Sequence, residues 1–563
     1  MPAMKPILPR PTRQSITDYG GDSEPDQQSA KSKEQEYITG IRLAVVITAV
    51  TTVCFLILLD TSIIVTAIPS ITTRFHSLED LGWYGSSYQI ARYNDSAPPR
   101  MRLTLFGDFY SACLQPLAGR IYTHFSLKWT FLAFLFTFEV GSLLCGIAVS
   151  SKMLIIARAV AGLGSSGLIN GSLTIISSSV PLHKSPPLVG VVMGFAQLGV
   201  AFGPLLGGAL TQYTTWRWCF YINLPMGAAV AILLTFTDIP EQVVKPPITD
   251  LGQLVWRKLD IVGFALFAPA AIQLLLALEL GQNGHPWGGS KVIGLLCGSA
   301  CTFVLFVLWE YRQGAAAMIP LSMIRMRVVW ASCLLMWLIS AMTLSASYYL
   351  PVYFQATRDV SPFMSGVYML PSILSQLLFS VLSGILIGKL GYYLPWAVFC
   401  GIATSVGHGL ISTWTSATPA GKWVGYQVLV GAGRGSGYQT PMIAVQNTLP
   451  PAQISIALSI LTFSQTLSGA IFLTFANLIF SNGLRSLIPK YAPGIDPQVI
   501  ITSGVTGVRN VVTEPELGGV LKAYSQSVGH VFYMAAALGV CCVATAFGMG
   551  WKSIKKKAAL NTV

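Results

Sequence analysis

Two oppositely charged residues stand alone within long apolar stretches of this chain of 563 residues. Asp60 lies in the stretch LLDTSIIVTAIPSI, and Arg158 lies in IIARAVAGLGSSGLINGS. A charge inside an apolar membrane helix costs so much free energy that it indicates a functional site by default. For Asp60, a hydrogen bond to a neighbouring helix near the membrane surface is the alternative interpretation.

The ends of the apolar stretches place Arg158 about 8 Å and Asp60 about 10 Å from the same surface, at 1.5 Å per helical residue. A guanidinium favours the charged form of a nearby carboxylate, and this preference is lost when the two helices separate. The two residues could therefore relay a proton. Glu139, in FTFEVGSLLCG, is a candidate second proton carrier, or else a structural glutamate that a partner satisfies.

Further polar residues lie in the C-terminal half. Arg434 lies among glycines in GAGRGSGYQ, which leaves space for a bound anion or substrate. Tyr353 and Gln355, in YYLPVYFQA, could line an aromatic substrate pocket, although anchoring at the membrane interface explains them equally well. Gln439 is assigned to the same cavity. The cysteines and histidines form no metal-spaced cluster, so we expect no metal and no cofactor.

The composition predicts a membrane protein. Hydrophobic residues make up 53% of the chain and charged residues only 10%, with a mean hydropathy of +0.61. Apolar windows of about 20 residues recur without strict apolar-polar alternation, which predicts an all-α polytopic membrane protein and excludes a barrel. The net charge of +13 comes largely from basic residues between the apolar runs or at the chain ends. Such residues set membrane topology, so we expect no nucleic-acid partner.

Thirteen apolar runs are evident, and a fourteenth appears if one interruption is removed. Deleting residues 92–112 joins 83–91 to 113–122 and restores the length of one span. The charged residues and prolines of the interruption are Arg92, Asp95, Pro98, Pro99, Arg100, Arg102 and Asp108. It is either a real loop that splits a helix or translated non-coding sequence, and we favour the second. Fourteen spans also place the C-terminal KSIKKK in the cytoplasm, as the positive-inside rule requires.

These runs divide the chain into consecutive regions. The predicted regions are a disordered cytoplasmic tail (1–42), the first five spans (43–218), the end of the N-terminal bundle with two central linker helices (219–290), a C-terminal bundle with a long extracellular loop at 481–528 (291–528), and the last helix with a basic tail (529–563).

The fifth span, GFAQLGVAFGPLLGGALTQY, is dense in glycine and proline, which permit close helix packing and a kink in a membrane. Together with LDTSIIVTAIP it resembles motifs of the major facilitator superfamily, and within it the fourteen-helix drug:proton antiporter branch of fungal toxin pumps. WRWCFYINLP, YYLPVYFQA, SGVYMLP and GYQVLVGAGRGSGYQTPMIAVQ match as well. The motif residues of the fifth span are Gly199, Gly203, Pro204, Gly207 and Gly208.

The resemblance implies two six-helix bundles that rock about a central cavity, with two additional helices placed by analogy at 219–237 and 260–281. The loop GRIYTHFSLKW departs from the family pattern. Gly119 and Lys128 remain, but the usual Asp-Arg and Gly-Arg pairs are replaced, so the loop lacks the charges of the family's charge-relay switch. Ala161 also stands where the fourth-helix motif usually has Gln.

The resemblance implies proton-driven export of a small organic compound, such as a secondary metabolite, mycotoxin or drug. Uptake of an amino acid, polyamine or siderophore is the alternative. The chain has no HExxH, GxSxG or phosphate-loop motif, so we expect neither an enzyme nor ATP-driven transport. The expected partners are the substrate, protons and the lipid bilayer. We expect a monomer in the plasma membrane, with the vacuolar membrane as the alternative location.

Overall fold

The computed structural model describes residues 37–75, 106–242, 245, 259–282, 286–501, 512 and 514–555. These residues are helical almost throughout. Many large hydrophobic side chains are exposed on the outer faces of the helices, as expected for surfaces that face lipid. The predicted all-α membrane fold is confirmed.

Fourteen helical segments of membrane length lie in the described part of the chain. The first six are α1 (Gly40–Phe75), α2 (Phe106–His124), α3 (Leu127–Gly146), α4 (Ser151–Ser179), α5 (Ser185–Tyr213) and α6 (Trp218–Thr235). The next two are α7 (Ile261–Gln282) and α8 (Ser290–Gln313). The last six are α9 (Arg327–Arg358), α10 (Pro362–Leu390), α11 (Leu394–Ile411), α12 (Ala420–Gly437 continued by Thr440–Thr448), α13 (Pro451–Tyr491) and α14 (Glu514–Ala546). Twelve of these, all except α2 and α12, have stretches long and apolar enough to cross a membrane.

Local sequence signals set the ends of several helices. The hydroxyls of Ser150 and Ser361 each accept a hydrogen bond at 3.2 Å from the amide three residues further on, at the starts of α4 and α10. Gly391 ends α10 with φ at +89°, a backbone conformation that glycine adopts without strain. Within the helices, hydroxyls bond to carbonyls of the preceding turn, as Thr51 does to Ile47 at 2.6 Å. Hydroxyls bonded in this way are satisfied without water.

The helices form an N half (α1–α6), a C half (α9–α14) and a central pair (α7 and α8). Helix α8 packs mainly against α7, and Ser299 donates a hydrogen bond to the carbonyl of Ala270 at 2.7 Å. Helix α7 contacts both halves, through α2 and through the ring of Phe267, which lies 5.0 Å from that of Phe463 on α13.

The predicted placement of the central pair at 219–237 and 260–281 is therefore wrong by one helix. Helix α6 belongs to the N half because its residues pack against α1 and α3 and bury the side chain of Asn223 there. The helices between the bundles are α7 and α8. Hydropathy indicates where apolar spans lie but does not say which helix packs against which.

Two other predicted boundaries differ from the structure. Helix α2 begins at Phe106, so the last part of the supposed insertion at 92–112 is helical, and residues 76–105 lie outside the described residues. The predicted loop at 481–528 is shorter, because α13 continues to Tyr491 and α14 begins at Glu514. These extensions bury Leu484 and Ile488 in one cluster with Val520 and Tyr524, and this burial stabilises the extra turns.

The start of α7 is held by a cluster of buried charges. Asp260 has φ at +50°, and its carboxylate accepts hydrogen bonds from Gly263 N at 2.9 Å, Trp309 Nε1 at 2.7 Å and Met318 N at 2.9 Å. Glu310, at the end of α8, accepts from the amide of Ile319 at 2.9 Å. This cluster ties the two ends of the central pair to the chain that leads into the C half.

A buried arginine from the N half completes the cluster. Arg120 on α2 donates to the carbonyl of Ala317, and its guanidinium interacts electrostatically with the carboxylates of Glu310 and Asp260. Two carboxylates buried side by side repel each other unless a cation lies close to them. Arg120 therefore fastens the central pair to α2.

The halves meet at the end of the bundle that carries the short basic loops. A Cβ on Gly119 of α2 would overlap Ser459 of α13, so the two helices touch at this glycine. Ser380 on α10 donates to the carbonyl of Gly190 on α5 at 2.9 Å, and Ser185 donates to Gln446 at 3.2 Å. By the positive-inside rule we expect this to be the cytoplasmic end. The two halves are in contact at this end in the structure.

We predict that Arg120→Met destabilises the protein by about 3–5 kcal/mol, because the substitution leaves two buried carboxylates without their cation. The measurement is thermal unfolding of the purified protein in detergent. Arg312→Met, which removes an exposed arginine at the end of α8, is the matched control and should leave the midpoint unchanged. Equal midpoints for the two variants would contradict the role of Arg120.

Candidate proton-coupling and substrate site

The N half contains the predicted ion pair. Arg158 Nη1 on α4 lies 2.5 Å from Asp60 Oδ2 on α1, and the two side chains are 13% and 5% exposed. The guanidinium also lies 6.0 Å from the centroid of the Phe220 ring on α6. The sequence placed Asp60 and Arg158 at similar depths in the membrane, and the structure shows that their side chains are in direct contact. A buried pair at this distance is held by a charge-assisted hydrogen bond.

Asn223 on α6 is part of this site, and the sequence analysis missed it. Its Nδ2 donates to Asp60 Oδ1 at 3.2 Å and lies at the same distance from the hydroxyl of Ser142 on α3. The two oxygens of Asp60 therefore have different partners, a cation and a neutral amide. Asn223 belongs to the INLP segment that we had used only as a family motif. A buried amide within an apolar helix was the signal available in the sequence.

The carboxylate of Glu139 lies beside this group. Both carboxylate oxygens are buried and lack a hydrogen-bond partner within the described residues, and the carboxylate interacts electrostatically with that of Asp60. A Cβ on Gly227 of α6 would overlap this carboxylate, so only glycine leaves room for it. Gly227 follows Asn223 by one helical turn, and the same face of α6 therefore borders both Glu139 and Asp60.

The glycines of α5 place α1 at this site. A Cβ on Gly199 would lie 2.5 Å from the carbonyl oxygen of Phe55, and one on Gly203 would overlap Ser62. Ser62 in turn donates to the carbonyl of Val200 at 2.9 Å. The backbones of α1 and α5 are therefore in direct contact both before and after Asp60 in the sequence. These contacts restrict the position of Asp60.

The other residues of the predicted packing motif behave differently. Gly207 is buried, whereas a Cβ on Gly208 would meet no atom within 4 Å. Gly208 is therefore not a packing residue, contrary to the prediction, because no neighbouring atom lies within reach of a methyl group added there. The side chain of Pro204 lies outside the described residues.

In the C half, Arg434 is buried in the middle of α12. Its Nη2 donates to Ser372 Oγ on α10 at 2.7 Å, and its Nε has no partner among the described residues. Glycines at 431 and 435 allow α12 to touch α10, and those at 433 and 437 allow it to touch α11. Glycine therefore brings these helices together around the arginine rather than opening an empty space.

The remaining predicted cavity residues form structural contacts. Tyr353 is fully buried and donates to the carbonyl of Thr415 at 2.6 Å, so the prediction that it lines a pocket is wrong. Gln355 donates to Ser365 at 3.0 Å and joins α9 to α10. Gln439 donates to Ser383 at 2.9 Å and, within reach of α5, closes the cytoplasmic end.

The cytoplasmic loop between α2 and α3 is supported by the segment that follows α6. Glu241 accepts a hydrogen bond from the amide of Leu127 at 3.0 Å, at the start of α3. Lys245 donates to the carbonyls of Tyr122 and Thr123, at 2.7 and 3.0 Å, at the end of α2. An acid at a helix start and a base at a helix end both complement the helix dipole. Burial lowers the pKa of Lys245, and the charge of Glu241 opposes this shift.

The two residues of this loop that match the family pattern, Gly119 and Lys128, have separate roles. Lys128 donates to the carbonyl of Thr235, at the end of α6, at 2.6 Å, so it acts within the N half. Gly119 instead faces α13 and lies at the contact between the halves. The sequence predicted Gly119 and Lys128 as one motif. Glu241 and Lys245 were not predicted. They lie far along the chain and supply part of the charge that this loop lacks.

A family model of the Major Facilitator Superfamily matches residues 50–473, which extend from α1 into α13. The chain belongs to the major facilitator superfamily. Its relatives include the MFS-type transporter pigP of Monascus ruber, 52% identical over 95% of this chain and 91% of the relative. The efflux pump mlcE of Penicillium citrinum is 49% identical over 98% of this chain and 96% of the relative. The family predicted from sequence is confirmed.

Among solved structures, the proton:xylose symporter XylE bound to 6-bromo-6-deoxy-D-glucose gives a TM-score of 0.55. The match covers 92% of this chain and 99% of that structure, at 14% sequence identity. At this level of identity the likeness concerns the fold. It supports the arrangement of two helical halves described above.

The structure explains one departure from the family motif. A Cβ on Gly141 of α3 would overlap the backbone of Ala161 on α4, so α3 and α4 cross in direct contact at these residues. The Cβ of Ala161 lies in that contact and is almost fully buried. A glutamine at position 161 would have to displace α3. The small residue therefore preserves the helix crossing next to Arg158.

We predict that Gly199→Ala destabilises the protein by about 1–3 kcal/mol, because the added methyl group overlaps the backbone of α1 next to Asp60. The matched control is Gly208→Ala, where the added methyl group meets open space. Thermal unfolding in detergent compares the two variants. Gly208→Ala should unfold at or slightly above the wild-type temperature, and a similar loss in both variants would contradict the packing role of Gly199.

Proposed function

We propose that the protein exports a small organic compound from the cell in exchange for protons, by alternating access of a cavity between its two halves. The observation that carries this proposal is the ion pair of Asp60 and Arg158, buried in the N half of a family member. A carboxylate in this position can bind and release one proton per transport cycle.

The names of the relatives support the direction of transport. Relatives that resemble this chain along nearly its whole length are named efflux pumps, among them mlcE and the efflux pump mokI of Monascus pilosus, which is 46% identical. A secondary metabolite is the corresponding substrate class. The plasma membrane is the location at which export removes such a compound from the cell.

The proposed cycle follows from the contacts of Asp60. In the state described here, Arg158 and Asn223 both stabilise the ionised carboxylate. A proton arriving from outside would neutralise Asp60 and remove its attraction to Arg158. The two helices could then separate as the cytoplasmic contacts open, and the proton would leave toward the cytoplasm. Glu139, whose carboxylate oxygens are buried nearby with no hydrogen-bond partner among the described residues, is the second group that could hold a proton during this step.

The test uses yeast cells that lack their own drug exporters and that express the full chain. Cells are loaded with two amphipathic dyes, the cation rhodamine 6G and the anion fluorescein, and dye efflux is followed at acidic and alkaline external pH. We expect faster efflux of at least one dye at acidic pH, and a protonophore should abolish the difference. If the efflux rates of both dyes do not depend on the proton gradient, proton-coupled export is refuted. Proton-driven uptake of the dyes would refute it as well.

Asp60→Asn should reduce proton-driven efflux about tenfold or more, because the amide keeps the shape of the side chain but cannot exchange a proton. The measurement is the same dye efflux, corrected for the amount of protein at the membrane. Asp238→Asn, which changes an exposed aspartate after α6, is the matched control and should transport normally. Normal proton-driven efflux by Asp60→Asn would exclude this residue as the proton carrier.

A further inference from the structure

Buried arginines in this protein differ in whether a carboxylate accompanies them. Arg158 is paired with Asp60, and Arg120 lies close to Asp260 and Glu310. Arg434 is 4% exposed, and no carboxylate of the described residues lies within interaction range of it. An unpaired charge in a low-dielectric interior is strongly unfavourable. Within the described residues this cation therefore has no counter-charge.

The neighbours of Arg434 cannot supply that charge. Its hydrogen-bond partner Ser372 is neutral, and Cys400 is a buried thiol. His408, which lies within interaction range of the guanidinium, carries no negative charge at physiological pH. Gln427 donates to the carbonyl of Tyr368 at 3.0 Å, but its own oxygen also lacks a partner.

The direction of Arg434 follows from helix geometry. Successive residues of α12 are about 100° apart, so Arg434 projects between the face that touches α10 and the face that touches α11. Gln427 and Tyr438 project to the same side. Tyr438 packs against the hydrophobic cluster that contains residues of both halves, including Ile57 and Ile460. Arg434 therefore projects from the same side of α12 as Tyr438, which packs against residues of both halves.

We propose that Arg434 binds the carboxylate of the transported compound, so that the substrates are amphipathic organic acids. A guanidinium offers two parallel donors to a carboxylate, and here the Nε donor is unused. The apolar remainder of the compound would lie against the hydrophobic side chains of the two halves. This inference rests on the export function proposed above and names the chemical class of its substrate.

The membrane potential favours this assignment. The interior of a cell is electrically negative, so export of an organic anion and entry of a proton both move charge in the favourable direction. An exporter of organic acids therefore draws on the electrical as well as the chemical part of the proton gradient. A neutral substrate would use only the charge of the proton.

The test measures binding to the purified full-length protein in detergent. The probes are 1-naphthoate, its neutral methyl ester and inorganic chloride, and the readout is the midpoint of thermal unfolding as each probe is titrated. We expect 1-naphthoate to raise the midpoint at concentrations where the ester and chloride do not. A rise of equal size with the ester would overturn the proposal, and an equal rise with chloride would identify Arg434 as a site for an inorganic ion only.

Variants connect this preference to Arg434. Arg434→Gln should weaken 1-naphthoate binding about tenfold or more, as expected for the loss of a charge-assisted hydrogen bond. Arg434→Lys should retain part of the binding, and Arg312→Gln, at an exposed arginine, should retain all of it. Retained binding in Arg434→Gln would overturn the proposal. If Arg434→Gln does not fold, the Arg434→Lys variant decides, since unchanged affinity there would exclude a bidentate contact.

A measurement of transport in cells distinguishes failure of this inference from failure of the proposed export function. In cells that express the wild-type protein, 1-naphthoate should compete with the proton-driven efflux of fluorescein, and the methyl ester should not. Proton-driven efflux of rhodamine 6G without any competition by 1-naphthoate would leave the export function standing and reject the organic-acid assignment. Loss of all proton-driven efflux would instead reject the export function itself.

Discussion

The cost of a charge in an apolar interior is the constraint on which this structure depends. Several of the buried charges that the helices carry are matched by a partner from a different helix. Asp60 of α1 requires Arg158 of α4 and Asn223 of α6. Arg120 of α2 joins the carboxylates at the ends of α7 and α8. These contacts set which helices are neighbours, because apolar side chains alone pack against lipid as readily as against protein.

Glycine makes such contacts possible by bringing backbones close together. Helices α1 and α5 touch at Gly199 and Gly203, and α10 and α12 touch at Gly431 and Gly435, so each half contains helix pairs without intervening side chains. The halves also touch at glycines, since a Cβ on Gly384 of α10 would lie 2.6 Å from the carbonyl oxygen of Pro186 on α5. Hydroxyl groups add hydrogen bonds to carbonyls or amides between the halves. Contacts of both kinds would have to break if the halves rock as rigid bodies.

The sequence predicted the properties that depend on composition and local pattern. Hydropathy gave the helical membrane fold, and the depth of Asp60 and Arg158 within their helices was consistent with their contact. Properties that depend on neighbours in space were not predictable in the same way. The central pair was placed one helix too early. Tyr353 was predicted to line a pocket but donates a hydrogen bond to the loop after α11. Asn223 gave no signal in the sequence beyond being one polar residue in an apolar run. Lys245 supports α2 from more than a hundred positions away in the chain.

The separation of the two charged sites bears on how protons and an anion could be exchanged. If Arg434 and Asp60 shared one pocket, a bound carboxylate would attract a proton to Asp60, and the two would travel together rather than in opposite directions. Arg434 lies among α10, α11 and α12, whereas Asp60 is enclosed by α3, α4, α5 and α6. Placing the sites in different halves weakens this direct attraction. Coupling then has to pass through the contacts between the halves, where binding at either site changes which end of the bundle is closed.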